Sequence, residues 1–176
     1  MMRIEELLET RVQKTPEKPF LTFSDARFTY EETAETAKRY ANALAELGVQ
    51  PGDRVGLFLP NCPEFLFCLF ANAYLDSVTA PSNPEYQSAE LEHSIDLSTP
   101  DVLVTTPELL DTATEAAGGT SVEQILLTEA TDTHESLPAL AADQPAEIGP
   151  HDGDAETVGL HMYTSGTTGP PKAVEC

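Results

Sequence analysis

Basic side chains are scarce in this sequence. Lysine and arginine number 9 of 176 residues against 30 aspartates and glutamates, and lysine stands only at positions 14, 18, 38 and 172. The formal net charge is −21 at pH 7. A field of that sign repels nucleic acid and anionic lipid, which argues against both as partners. It also repels the chain from itself, a cost that molar salt removes by shrinking the Debye length to about 3 Å. The composition therefore reads as halophilic, adapted to a salt-rich cytoplasm. Cysteine is rare too: Cys62, Cys68 and Cys176 form no CxxC spacing and cannot all pair within one chain, as expected of a reducing interior. Long apolar runs are missing. The longest, FLFCLFA (65–71), is far too short to span a bilayer. The opening MMRIEELLETR reaches carboxylates before any apolar run, unlike a secretory signal. The four histidines, at 93, 134, 151 and 161, lack metal-ligand spacing. These absences predict a soluble, cytoplasmic protein.

What is present is a regular alternation. Ile4, Leu7, Leu8 and Val12 recur at helical spacing, ending near Pro16. PFLTF (19–23) and ARFTY (26–30) read as strands around a Ser-Asp turn. Thr29 and Glu32 form a capping-box pair that opens a helix with Ala34, Ala37, Tyr40, Ala41, Leu44 and Leu47 on one face, closed by Gly48. VGLFL (55–59) is apolar throughout, as in a strand buried on both faces. A helix from Pro63 to Leu75 and a strand SVTAP (77–81) follow, then helix 87–98, strand 101–105, helix 107–117 and strand 122–128. Such alternation predicts an α/β fold: a doubly wound, mostly parallel sheet with helices on both faces. Residues 129–156, rich in Ala, Pro, Asp, Glu and Thr, read as a surface connection, and TVGLHMY (157–163) as a further strand. The acids Glu5, Glu6 and Glu9, and Glu31, Glu32 and Glu35, read as solvated helix faces. A helix start favours a thiolate at Cys62, although a small buried residue is the plainer expectation.

The last strand delivers YTSGTTGPPKAV (163–174), which holds three threonines, one serine, two glycines and Lys172 but no carboxylate. A chain this acidic should place about two carboxylates in the fourteen residues from His161 to Val174. Glycine-rich turns leaving a strand bind phosphates in open α/β sheets, because backbone N–H groups converge there without a Cβ in the way. Gly166 and Gly169 give that freedom, Thr164, Ser165, Thr167 and Thr168 give hydroxyls, and Lys172 gives a cation. The spacing GTTG followed by PPK is not a Walker A motif.

At Tyr163 through Lys172 the sequence resembles the adenylate-forming enzymes, the superfamily of acyl-CoA synthetases, luciferases and peptide-synthetase adenylation domains, whose motif reads roughly YTSGTTGxPKGV. The resemblance extends to PNCPEFLFCLFANAYLDSVTAPSNPEYQSAEL (60–91), where Asn83-Pro84 and Glu90-Leu91 favour the acyl-CoA ligase branch. It implies that a substrate carboxylate, from a fatty or aromatic acid, attacks the α-phosphate of ATP, and that the thiol of coenzyme A then displaces AMP. It implies further that Thr164, Ser165, Gly166, Thr167, Thr168, Gly169 and Lys172 grip the β- and γ-phosphates, with Thr164 near Mg²⁺. No side chain here is assigned a catalytic role, since the substrate brings its own nucleophile.

Two positions depart from the family pattern: Ala173 and Asp76 stand where glycine is common. The family also runs on for several hundred residues beyond this motif. Residues 1–176 are thus expected to be an incomplete N-terminal part of the large AMP-binding domain, inactive alone and partnered by the missing C-terminal portion. The alternatives are a non-catalytic phosphate-binding or interaction module, or an adenylation domain that loads a carrier protein.

Overall fold

The computed structural model describes residues 3–149, 159–164 and 172–175. Four strands, β3 (Arg54–Phe58), β4 (Val78–Pro81), β5 (Val102–Thr105) and β6 (Gln124–Leu127), form a parallel sheet in the order β4-β3-β5-β6. In β3 the residues Val55 and Leu57 join one core cluster and Phe58 another. This two-sided burial is why VGLFL shows no polar alternation. Gly56 shares the Phe58 face, where an added Cβ would lie 2.8 Å from Leu103 Cδ1 and 3.3 Å from Pro100 Cγ, so a larger residue would have to displace the Leu103 side chain.

Helices α2 (Tyr30–Glu46) and α3 (Pro63–Leu75) cover the Val55–Leu57 face, together with Val102, Val104 and Leu126. Helices α4 (Ser88–Ser98) and α5 (Leu110–Ala117) cover the other through Leu91, Ile95, Ala113 and Ala116. The doubly wound expectation holds. Each fully buried leucine in these layers contributes about 1.5–3 kcal/mol of transfer free energy.

The punctuation is where the sequence puts it. The Glu32 N–H donates to Thr29 Oγ1 at 3.1 Å and the Thr29 N–H to Glu32 Oε2 at 2.8 Å, the reciprocal cap that starts α2. Gly48, at φ +101°, ends it in a conformation other residues avoid. Strands β1 (Pro19–Phe23) and β2 (Ala26–Thr29) pair as an antiparallel hairpin beside this layer.

Helix α1 (Ile4–Lys14) forms as expected but docks differently. Leu8 is buried, whereas Ile4 and Leu7 are 41% and 51% exposed. Glu5, expected in water, is buried instead, and Glu9 is half-buried with Tyr74 and Lys38 as partners. The acids are therefore part of the docking surface. Arg3 anchors the helix start: its guanidinium donates to the Ala73 carbonyl at 2.8 Å, to Asp76, and pairs with Glu5. Asp76 closes α3 at φ +55°, in the left-handed region. That conformation explains why glycine suits the position, and the Arg3 bond is what the aspartate adds.

Residues 129–149, expected as surface connection, include a short helix α6 (Leu137–Ala141) whose Leu137 and Ala141 are buried in the α2–α3 layer. Beyond it the chain is strapped along α2. Arg39 donates to the carbonyls of Ala142 and Gln144, and Asn42 to those of Pro145 and Glu147. Residues 150–156 of this connection lie outside the described residues.

Candidate phosphate-binding site

Strand β7 (His161–Thr164) begins later than TVGLHMY suggests; residues 157 and 158 lie outside the described residues. It pairs antiparallel with β8 (Lys172–Glu175), with Thr164 facing Lys172, Tyr163 facing Ala173 and His161 facing Glu175. Leu160 bridges Thr79 in parallel, and the Thr79 N–H donates to the Gly159 carbonyl at 3.1 Å. The hairpin thus joins the outer edge of β4 and runs in the direction of the sheet. Its loop end, at Thr164 and Lys172, points toward the carboxyl ends of the parallel strands. Open α/β sheets take their ligands at that edge.

Of the residues predicted to hold phosphate, Ser165, Gly166, Thr167, Thr168 and Gly169 lie outside the described residues, and Thr164 and Lys172 are described by backbone alone. What is fixed is the frame: a seven-residue segment, 165–171, leaves and re-enters between two strand residues held as direct partners. Ala173 sits within an extended strand, so alanine there carries none of the left-handed penalty that a positive φ would bring.

The other stretches of family resemblance gather at the same edge. PNCPEF (60–65) leaves the end of β3, and PSNPEY (81–86) leaves the end of β4. In the latter, Asn83 Oδ1 accepts from the Glu85 N–H at 3.0 Å and the Asn83 carbonyl from the Tyr86 N–H at 3.0 Å, a tight turn beside the hairpin. Cys62 caps α3, but the helix start does not make it a thiolate. Burial pushes its thiol up to about 11, outweighing the backbone hydrogen bond that favours the charge.

Beneath β4 lies a polar joint that the sequence did not announce. Asn72, fully buried on α3, donates from Nδ2 to Thr79 Oγ1 at 2.9 Å, and Ser77 Oγ reaches Asn72 Oδ1 at 3.1 Å. A buried amide left without such partners costs about 1–3 kcal/mol, so this arrangement is specified rather than incidental. Its only hint was a polar residue within the apolar stretch that follows Glu64 in α3.

A cleft of about 210 Å³ opens at the opposite end of the sheet, lined by Leu47, Val49, Asp53, Asp101 and Glu123 among others. Three carboxylates make it a poor host for a phosphate. Among the described residues, no helix is long and apolar enough to cross a membrane.

Known proteins resemble this chain over most of its length. The family model described as AMP-binding enzyme matches residues 8–176. A medium/long-chain-fatty-acid–CoA ligase of Mycobacterium tuberculosis is 31% identical over 95% of this chain, and a feruloyl-CoA synthase of an Amycolatopsis species is 34% identical over 92%. The chain spans only 28% and 30% of the length of these two relatives. Among solved structures, the N-terminal domain of FACL13 from Mycobacterium tuberculosis superposes with a TM-score of 0.89 at 27% identity, covering 100% of this chain and 44% of that one. With a family model matched from residue 8 to residue 176 and relatives above 30% identity over more than nine-tenths of its length, the chain belongs to the AMP-binding enzyme family.

Proposed function

We propose that the protein activates a carboxylic acid, fatty or aromatic, as an acyl-adenylate and passes the acyl group to coenzyme A, with residues 163–174 holding the β- and γ-phosphates of ATP. One observation carries this reading: the carboxylate-free segment 165–171 springs from the carboxyl edge of a parallel sheet, with Thr164 and Lys172 set opposite each other at its base. Two relatives, one named as a ligase of medium- and long-chain fatty acids with CoA and one named for a feruloyl-CoA product, support the substrate class.

The chemistry asks little covalent work of this region. A carboxylate oxygen of the substrate attacks the α-phosphorus, the bond to the bridging oxygen of the β-phosphate breaks, and pyrophosphate leaves. The CoA sulfur, as thiolate, then attacks the acyl carbon and AMP departs. Charge accumulates on the leaving pyrophosphate, so backbone N–H donors, hydroxyls and the Lys172 ammonium serve by stabilising the transition state more than the bound triphosphate. Hydroxyl oxygens without carboxylates fit Mg²⁺ only as an ion carried in by the phosphates, with Thr164 as its protein-side neighbour.

The test is Lys172→Met in the full-length protein, assayed by ATP–pyrophosphate exchange with fatty and aromatic acids. Exchange should fall about a hundredfold. Unchanged exchange and unchanged ATP affinity would show that the segment does not grip phosphate. A wild-type protein that binds pyrophosphate yet never exchanges it would instead be a binding module.

A further inference from the structure

Charge is unevenly divided along the chain. Eight of the nine lysines and arginines fall within residues 1–54, and residues 55–171 contain none. Arg3 and Lys38 pair with carboxylates, and Arg39 holds the strap that follows α6. Arg11 and Lys14 do neither. Both are exposed, and among the described residues no carboxylate lies within ion-pair distance of them. They share a face of α1 with Ile4 and Leu7, since positions 4, 7, 11 and 14 fall on one side of a helix. Ile4 and Leu7 are among the few large apolar side chains left in solvent. The stripe is apolar at its start, cationic at its end and free of acids.

Another exposed apolar residue, Leu97, ends a face of α4 that also presents Ala89, Glu92, His93 and Asp96 to solvent. Here the order is reversed, acid first and apolar last. Laid antiparallel, the two helices set Leu97 against Ile4 and Leu7, Asp96 beside Arg11, and Glu92 toward Lys14. They do not meet within one molecule, because α1 packs in the layer over one face of the sheet and α4 covers the other.

We propose that the exposed stripe of α1 docks on α4 of a second copy of this chain, joining copies head to tail. Charge complementarity names the occupant: the α4 face offers acids and an apolar anchor in the order the stripe requires. A flat anionic membrane would instead confront the acid-rich surface as a whole, which repels it. Near about 1 M salt the repulsion between copies reaches only about 3 Å, whereas pairs in contact across a partly desolvated interface are screened much less. Because the two patches differ, every contact leaves one of each free, and growth does not stop at a dimer. Two three-turn helices bury less than the roughly 800 Å² per partner of a stable interface, so each contact is weak.

Sedimentation of the full-length protein in about 1 M potassium chloride, from roughly 10 µM to 1 mM, tests this. The weight-average mass should climb past that of a dimer without a plateau. Arg11→Glu with Lys14→Glu should weaken association about tenfold, and so should Glu92→Lys with Asp96→Lys. Mixing these two double variants should restore it, since the cationic stripe of one then meets the acidic face of the other. Circular dichroism checks that the helices persist, and Leu97→Asp, which leaves α1 untouched, should weaken association as well. A protein that stays monomeric throughout overturns the proposal. So does a closed dimer, or association that survives reversal of the α4 charges.

Discussion

Helices α1 and α2 both pack against α3, and opposite chemistry holds them there. Helix α2 presents Ala34, Ala37, Tyr40, Ala41 and Leu44, all buried, with the Tyr40 ring edge-on to Phe67 at 5.9 Å. Small residues let its backbone approach closely, and the attachment is non-directional. Helix α1 buries one leucine and relies on polar pairs: Arg3 with Asp76 and Glu5, and Glu9 with Lys38 (2.7 Å) and the Tyr74 hydroxyl. In a chain with so many carboxylates, most face water, but those of α1 have been recruited as fasteners. The difference predicts that α2 responds to lost volume, whereas α1 responds to lost charge.

The largest expected effect tests the apolar side. Leu57→Ala, beneath α2 and α3, should cost about 3 kcal/mol in urea unfolding and loosen all the main-sheet elements together. Loss confined to one helix would break the comparison. Next is Asp76→Gly, which keeps the left-handed closure of α3 but removes the acceptor for Arg3. Amide protection of α1 should fall by about 2 kcal/mol while that of α2 holds. Equal losses in both helices would show that α1 is not separately fastened.

Much of this architecture was legible because it depends on local rules. Thr29 with Glu32, Gly48 and Pro63 mark helix ends whose backbone needs are met within a few residues. The parallel sheet followed from apolar strands alternating with helices. Helix α6 escaped notice because its five residues are too short to show a period; only the cap at Ser136, whose Oγ accepts from the Ala139 N–H at 3.2 Å, and Pro138 in its first turn hinted at it. The burial of Glu5 and Glu9 was not readable: Asp76, which shares Arg3 with Glu5, and the Glu9 partners Lys38 and Tyr74 all lie 29 or more residues along the chain. At the candidate site the chemistry was legible from residues 163–174 as a resemblance, whereas the bridge between Thr79 and Leu160 required strand register.

The smallest expected effect sharpens the polar side. Burial alone pushes the Glu9 carboxyl up, but hydrogen bonds from Lys38 and Tyr74 outweigh it and hold it below the ordinary carboxylate value of 4.5. Its folded state therefore prefers the ionised form. The stability Glu9 contributes is present above about pH 4.5 and lost as pH falls through the lowered value. Glu9→Gln should cost under about 1 kcal/mol near neutral pH, and the gap to wild type should close in acid. Thermal unfolding from pH 7 to 3 measures this; a gap that widens in acid would contradict it. Glu5 carries the opposite sign. Burial raises its value above 4.5 despite the backbone and Arg3, so its contribution declines as pH rises.

The Arg3 clasp has a practical side. Any affinity tag or fusion partner placed directly ahead of that residue shares its backbone with the group that fastens the amino-terminal helix. Recombinant handles for this protein therefore belong behind a flexible spacer, and a purification artefact at this end would first register as a loosened α1 rather than as a damaged core.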